Sequence, residues 1–593
     1  MVTEPTLEFR GITMTEDIKK TFDNTERIGV IGSPSSTGKL TIDVLGTAIS
    51  KSLVGSLSVF NFSQDGCDNY ALGQIVEVLM QNIWAQDPTV RGLIRQKGRI
   101  DPITERQDTH IAKMTVSSVF AKKNGSIDQS ILGTVPSTGT PIKALTEEVL
   151  HSLLINYEKE LFYLGSAYGS EVKMPMWFKH FGRGAEGAGE AYHIGIFGKT
   201  GSGKSVLAKM IMSAYSKHNQ MGIFVLDPQG EFAKDFRENS SLKTTLCEKM
   251  SRQVHVYDLH NLVLTGDELF RKVLVNSGFL SKLGIYLDIN KMQAANEIEA
   301  ILKAKGPHSQ FGASIPPYQA YTREAFDRVW TALQTENVLR RIYSMNDLRE
   351  RVKSSIESAD VEEYYQLWYR IANLFRFEGN AKAKIKDLVA KIHGEGQVAQ
   401  DIVIIDLSER NIPSDIFWND MMKLVVIAEF LEKITQRAEE VYKKDELLNS
   451  LVIIDEAHRL APKEPSENEY LENVKRILID AVRTTRKYGL GWMFISQTLS
   501  SLSRDILDQI RIYVFGFGLG WGIERLALKD IIGGQFEALK LYQSFRDPQS
   551  SLNKKQYPFM TVGPISPLSF SGTPLFFNAL KYPDDFLKTN FDK

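Results

Sequence analysis

Apolar positions fall into two regimes along this chain. In the first 165 residues they come as short runs: Leu7–Ile12, Arg27–Ile31, Leu57–Phe62, Ile75–Leu79 and Thr115–Phe120. Turn residues such as Ser33-Pro34-Ser35, Asp65-Gly66 and Asn124-Gly125 separate them. Runs of that length and spacing predict a small β-barrel or sandwich. The segment 135–150 reads as a last strand feeding a short helix. From residue 191 the pattern changes. Fully apolar runs lie at 192–197, 221–226, 402–406, 451–455, 491–496 and 511–517, with helix-forming stretches between them. Strands buried on both faces look like this, so the second regime predicts an α/β fold with a parallel sheet.

These patterns divide the chain into a barrel over 1–165, a linker over 166–190 that ends in the glycine-rich stretch Gly182–Gly189, and an α/β domain over 191–593. An insertion at about 260–395 is rich in helix formers and aromatic residues (EAFDRVWTALQ, VEEYYQLWYRIANLF). Its stripes read as the core of a helical subdomain. A C-terminal extension begins at about 520. Composition adds little: 43% hydrophobic and 24% charged residues are ordinary for a globular chain of 593 residues. The formal net charge of −1 gives no global basic field, so any nucleic-acid surface must be local. The two cysteines, Cys67 and Cys247, stand in no metal-ligating or disulfide spacing. The N-terminus lacks a basic region followed by an apolar core, and the longest apolar run, near Met421–Leu431, is too short to span a bilayer. A cytoplasmic protein with no membrane partner is expected.

The strongest chemical signal follows the first of the apolar runs. His193–Phe197 leads into Gly198-x-x-x-x-Gly203-Lys204-Ser205 and then an amphipathic helix pattern. Glycines let successive N–H groups point inward at phosphate oxygens, and the helix N-terminus adds partial positive charge. The nucleotide-binding set is Gly198, Thr200, Gly201, Ser202, Gly203, Lys204, Ser205 and Val206. Lys204 is placed to reach the β- and γ-phosphates, and the Ser205 hydroxyl to ligate Mg²⁺. A second glycine-lysine segment, Gly32 to Thr41, is a decoy: it has one residue too many between its glycines, and Leu40 replaces the hydroxyl residue. Pro34 also removes a donor N–H.

Leu451-Val-Ile-Ile-Asp455-Glu456 puts two carboxylates at the C-terminal end of an apolar strand, where open α/β sheets bind ligands. Asp455 is assigned to Mg²⁺ through water and Glu456 to the attacking water. Gln497 ends the next strand and is placed to read the γ-phosphate. Asp227 and Glu231, at the end of the second strand, either face the nucleotide or cap a helix. Arg476, Arg483 and Arg486 lie broadly on one side of the helix before Gln497's strand. In a ring, Arg486 or Arg483 could project into a neighbour's site as an arginine finger.

The motifs GKTGSGKS (198–205), LDPQGEF (226–232), VIIDEAHRLAP (452–462), RTTRKYGLG (483–491) and FISQ (494–497) together resemble the HerA family, within the HerA–FtsK branch of P-loop motor ATPases. Two positions depart from the family pattern: DPQGEF stands for DPHGEY, and Thr485 for a glycine. The resemblance implies a RecA-like core using ATP and Mg²⁺, a small N-terminal barrel, and a homohexameric ring that pumps duplex DNA through a central pore. It also implies a partner, either a nuclease in DNA-end processing or a Sir2-like or other effector in antiphage defence, with the barrel serving partner docking and ring assembly. A second reading makes the ring chiefly a scaffold that activates a nuclease or an NAD-consuming effector. No nuclease constellation stands out in this chain.

Overall fold

Short strands at the N-terminal end curl into a closed barrel because each buries one face and leaves the other to solvent or to a neighbouring element. The computed structural model describes residues 14–98, 107–123, 126–184, 186–237, 240–304, 313–377, 382–392, 399–409, 412, 414–550, 555–569 and 572–592. The expected strand Leu7–Ile12, the turn Asn124-Gly125 and Ala185 of the expected linker lie outside the described residues. The strands are β1 (Arg27–Ile31), β2 (Lys39–Val44), β3 (Leu57–Gln64), β4 (Cys67–Gln81), β5 (Thr109–Lys123), β6 (Ser126–Ser130) and β7 (Pro141–Ala144). Their order is β2-β1-β7-β3-β4-β5-β6, and pairing of β2 with β5 closes six of them, with β6 appended to β5. Asp65 and Gly66, at φ 53° and 73°, form the tight turn between β3 and β4. Two positive φ angles in succession match the twist of a hairpin. Ile42, Phe60, Ala71, Ile75, Ala112 and Met114 fill the interior.

The second sheet has eleven strands. They are β8 (Leu161–Ala167), β9 (Lys173–Trp177), β10 (Ile194–Phe197), β11 (Gly222–Asp227), β12 (Val254–Tyr257), β15 (Ile402–Asp406), β16 (Ser450–Ile454), β17 (Leu490–Ser496), β18 (Ile512–Gly516), β19 (Pro558–Val562) and β20 (Leu575–Ala579). The order is β12-β15-β11-β16-β17-β10-β18-β19-β20-β8-β9. All pairings from β12 to β18 are parallel, and those from β18 to β9 are antiparallel. Helices cover both faces. On β11, Ile223 and Val225 pack with Leu207 and Ile211 of the helix Lys204–Ser216, while Phe224 and Leu226 belong to the core that holds the helix Asp420–Tyr442. That second helix contains the Met421–Leu431 run, and no helix among the described residues is long and apolar enough to cross a membrane.

The structure differs from the sequence reading at the ends of this sheet. β8 and β9 straddle the expected end of the barrel and the expected linker, where no strand was expected, yet β8 pairs with β20 and β9 pairs with β8. The edge strand β12 and the C-terminal strands β19 and β20 also join. The insertion between β12 and β15 is helical, and a two-residue parallel pair, β13 (Leu262–Val263) with β14 (Ala383–Lys384), ties its ends together. Phe270, Phe279, Phe326, Trp330 and Trp368 form its core, with the Trp368 indole donating to the Ala320 carbonyl at 2.7 Å.

A buried glutamine fastens the barrel to the large sheet. Gln74 Nε2 donates to the carbonyls of Gly55 (2.6 Å) and Phe576 (2.8 Å), while its Oε1 accepts from the Phe576 N–H at 2.9 Å. An amide can satisfy a donor and an acceptor on one backbone residue, which apolar packing cannot do. Around it, Glu77 pairs with Lys113 and Lys540, and Glu537 pairs with Lys39.

Candidate nucleotide-binding site

The loop after β10 turns on three glycines, Gly198, Gly201 and Gly203, at φ 157°, 82° and 88°. A side chain there would be strained, and space is short as well. A Cβ on Gly203 would meet the Tyr557 ring at 2.9 Å, and one on Gly201 would meet the Gln549 amide at 2.1 Å. The helix Lys204–Ser216 starts directly from the loop with no side-chain cap, leaving its first N–H groups for a ligand. Lys204 is buried, and its Nζ donates to the Lys199 carbonyl at 3.2 Å. Burial lowers its pKa from the usual lysine range, and the charges of Glu456, Asp455 and Glu231 partly offset this. Ser205 is half-buried one residue on, and Val206 is exposed. Ser202 Oγ is buried without a partner among the described residues.

Strand ends bring Glu456 and Gln497 to the loop. Gln497 Nε2 donates to Glu456 Oε1 at 2.7 Å, and Thr200 Oγ1 donates to Gln497 Oε1 at 3.1 Å. Glycine loop, glutamine and glutamate are thus joined by two consecutive hydrogen bonds, so a change at one reaches the others. Glu456 adopts φ 51°, unusual for a non-glycine residue, and its N–H donates to Asp455 Oδ1 at 2.9 Å. Such backbone strain collects at functional sites. Glu456 Oε2 lies 3.4 Å from His458 Nδ1, which also pairs with Ser496 Oγ at 3.2 Å. Burial lowers the His458 pKa despite the nearby Glu456 charge, which leaves the ring neutral near pH 7.

Asp455 is 3% exposed, and its pKa is pushed up to about 7 by burial first, then by Glu456 and Glu231. A raised carboxyl pKa contributes stability that is fully present below the unfolded value and is lost as pH rises through the folded one. Here that window runs from 3.8 to about 7. Asp455→Asn is therefore expected to raise the melting temperature of nucleotide-free protein more at pH 8 than at pH 5. An equal shift at both pH values contradicts the assignment.

Other sequence candidates separate. Asp227 caps a helix: Oδ1 accepts from the N–H groups of Gly230 (2.8 Å) and Glu231 (3.1 Å), and Oδ2 accepts from Ala233 (2.8 Å). Glu231 stays close enough to act on the charges of Lys204 and Asp455. Arg483 and Arg486 do not join the loop. Arg483 Nη2 pairs with Asp505 at 2.5 Å, and Arg486 Nε lies 3.4 Å from Glu190, which also holds Arg511 at 3.1 Å. Arg476 donates to Asn473 at 2.8 Å. Sequence reasoning missed Gln549 and Tyr557, which lie against the loop from the far end of the chain; no motif marks them. The decoy loop sits elsewhere, with Lys39 at the start of β2 paired with Glu537 of the helix Phe536–Gln543. Lys39→Ala is expected to leave ATP turnover nearly unchanged, and to cost at most about 1 kcal/mol of stability, since the pair is partly solvent-exposed. Phosphate release and a thermal melt check both.

Sheet order, glycine loop and strand-end carboxylates define a P-loop nucleoside triphosphatase with a RecA-like core. Residues 191–434 match the family model described as "Helicase HerA, central domain". Over that stretch, less than half of its length, the chain is similar to a HerA-type motor ATPase domain. No curated protein matches it. Among solved structures, VirB4 of Thermoanaerobacter pseudethanolicus is 14% identical over 71% of this chain and 97% of its own, with a TM-score of 0.36. The bacterial conjugative coupling protein TrwBdeltaN70 is 12% identical over 65% of this chain and 84% of its own (TM-score 0.34). The genome packaging NTPase B204 from Sulfolobus turreted icosahedral virus 2, in complex with AMPPCP, is 11% identical over 66% and 98% (TM-score 0.28).

Proposed function

We propose that this chain assembles as a homohexameric ring that hydrolyses ATP to drive duplex DNA through a central pore. The observation that carries this reading is the hydrogen-bonded sequence Thr200–Gln497–Glu456 beside the glycine loop, within a HerA-type domain. It supplies the parts a motor needs: a phosphate cradle, a group that polarises water, and an amide between them that registers the γ-phosphate. Ser205 and, through water, Asp455 would hold Mg²⁺. Hydroxyl and carboxylate oxygens suit that ion. A Mg²⁺ ion held there would supply charge neutralisation to the phosphates.

The half-exposed Arg483 and Arg486, each in an ion pair open to solvent, favour a ring. A pore needs only a few cations per subunit, multiplied by symmetry, so a net charge of −1 is compatible with DNA. Duplex DNA is expected to stimulate ATP turnover of the purified full chain, with stimulation falling as salt rises. Turnover indifferent to DNA at low salt removes translocation from the proposal. A second reading, a ring that chiefly docks and activates a partner nuclease or NAD-consuming effector, is favoured by one patch. Met80, Ile83 and Trp84, at the end of β4 and beyond, are 61%, 73% and 59% exposed. Clustered exposed apolar side chains mark protein contacts, and we assign the barrel to partner docking and ring closure.

A further inference from the structure

The glycine loop accounts for phosphates, and the base of the nucleotide needs its own contacts. Beside the loop lies a cavity of about 910 Å³, walled by Gly201 and Val206 on the loop side and by Ser170, Tyr557 and Asn578 on the other. The volume falls within the ~300–1,000 Å³ of small-molecule sites. Tyr557 lies against Gly203, so an aromatic face adjoins the phosphate cradle. Asn578 is on β20 and Ser170 follows β8. Neither belongs to the loop-and-helix unit.

Two oxygens on this wall lack partners among the described residues: Asn578 Oδ1 and Ser170 Oγ, both buried. The Asn578 amide is oriented by its other end, where Nδ2 donates to the Tyr168 carbonyl at 3.1 Å. A carbonyl can only accept, so the nitrogen must face it and the oxygen is left over. That oxygen can only accept. Burying it unpaired is costly, and a donor on a ligand relieves the cost.

We infer that this cavity takes the purine base of the nucleotide, with Asn578 Oδ1 accepting from the 6-amino group of adenine and the Ser170 hydroxyl donating to a ring nitrogen. Guanine and hypoxanthine carry an acceptor at position 6, which would set oxygen against oxygen. Asn578 and Ser170 are thus specificity-determining residues for ATP. Asn578 comes from a strand that docks on the barrel, since β20 also carries Phe576, the partner of Gln74. The inference rests on the loop holding the triphosphate.

The test is equilibrium binding to the full chain, with Mg²⁺, of ATP, inosine triphosphate and purine riboside triphosphate, which is ATP without its 6-amino group. Wild type is expected to bind ATP at least about tenfold more tightly than either analogue. Asn578→Ala is expected to bind ATP and purine riboside triphosphate equally, because ATP falls to the analogue's level. Ser170→Ala is expected to weaken both alike and keep their ratio. A wild-type ratio near one overturns the inference, as does an unchanged ratio in a folded Asn578→Ala. The wild-type comparison stands even if Asn578→Ala fails to fold. Lys204→Ala separates the two readings. If it weakens ATP binding while wild type ignores the 6-amino group, base recognition alone fails; if it leaves ATP binding intact, the loop reading fails.

Discussion

Lys204→Ala is expected to abolish ATP hydrolysis and to weaken nucleotide binding together. Its ammonium is the cation placed for the β- and γ-phosphates, and among the described residues it donates to the Lys199 carbonyl, at 3.2 Å. A buried cation bound to a neutral carbonyl gives up little on turning to a phosphate, and charge-assisted hydrogen bonds are about twice as strong as neutral ones. Glu456→Gln is expected to behave differently. The amide keeps the shape and can still meet Gln497, so ATP stays bound, but the carboxylate that polarises water is gone. Turnover should fall by orders of magnitude with little change in affinity. Nucleotide binding and phosphate release, measured on both variants, separate the two roles. Normal turnover in Glu456→Gln refutes its assignment, and normal ATP binding in Lys204→Ala refutes the loop.

The parts of this site that were legible in sequence share a cause: one short segment carries both the structural and the chemical signal. The run into Gly198, the glycines and Lys204–Ser205 are contiguous, so strand, turn and helix announce one another. Asp455 and Glu456 likewise close an apolar run. Asp227 was ambiguous because carboxylates at strand ends cap helices as readily as they serve sites. Only the three N–H groups on its oxygens decide for the cap. β8 and β9 were not read as strands: they straddle the boundary at residue 165 between the expected barrel and the expected linker, and short antiparallel edge strands carry only a weak local signature. What assigns them is β20, the partner of β8, about 400 residues further along the chain. Tyr557, Gln549 and Asn578 were invisible for the same reason: their importance is proximity to the loop, and proximity across the chain leaves no local pattern.

Arg486 cannot serve the loop of its own subunit, and this yields the sharpest test of the ring. Its carbonyl accepts from the Ala191 N–H at 3.0 Å, before β10 begins, whereas the glycine loop follows the end of β10. The four residues of β10 (Ile194–Phe197), at ~3.3 Å each, alone separate those points by roughly 13 Å, beyond the reach of an arginine side chain. The anchorage is firm. His193 Nε2 pairs with the Val482 carbonyl at 2.8 Å, and the ring accepts from the Trp492 N–H through Nδ1 at 3.3 Å. Burial lowers the His193 pKa to about 4, so the ring stays neutral and keeps both roles at neutral pH. The guanidinium groups of Arg483 and Arg486 are about half exposed, 51% and 56%, and their ion pairs are open to solvent. Such pairs contribute little and exchange readily for a phosphate. Replacing the finger arginine with alanine is therefore expected to lower turnover about a thousandfold or more while sparing nucleotide affinity and assembly. Wild-type turnover per subunit should rise steeply with protein concentration. Mixing the arginine variant with Lys204→Ala, each inactive alone, should restore part of the activity, because some interfaces then pair an intact loop with an intact arginine. If subunits are shown to exchange and no activity returns, complementation in trans fails. Full turnover from a monomer at high dilution rules out the ring mechanism.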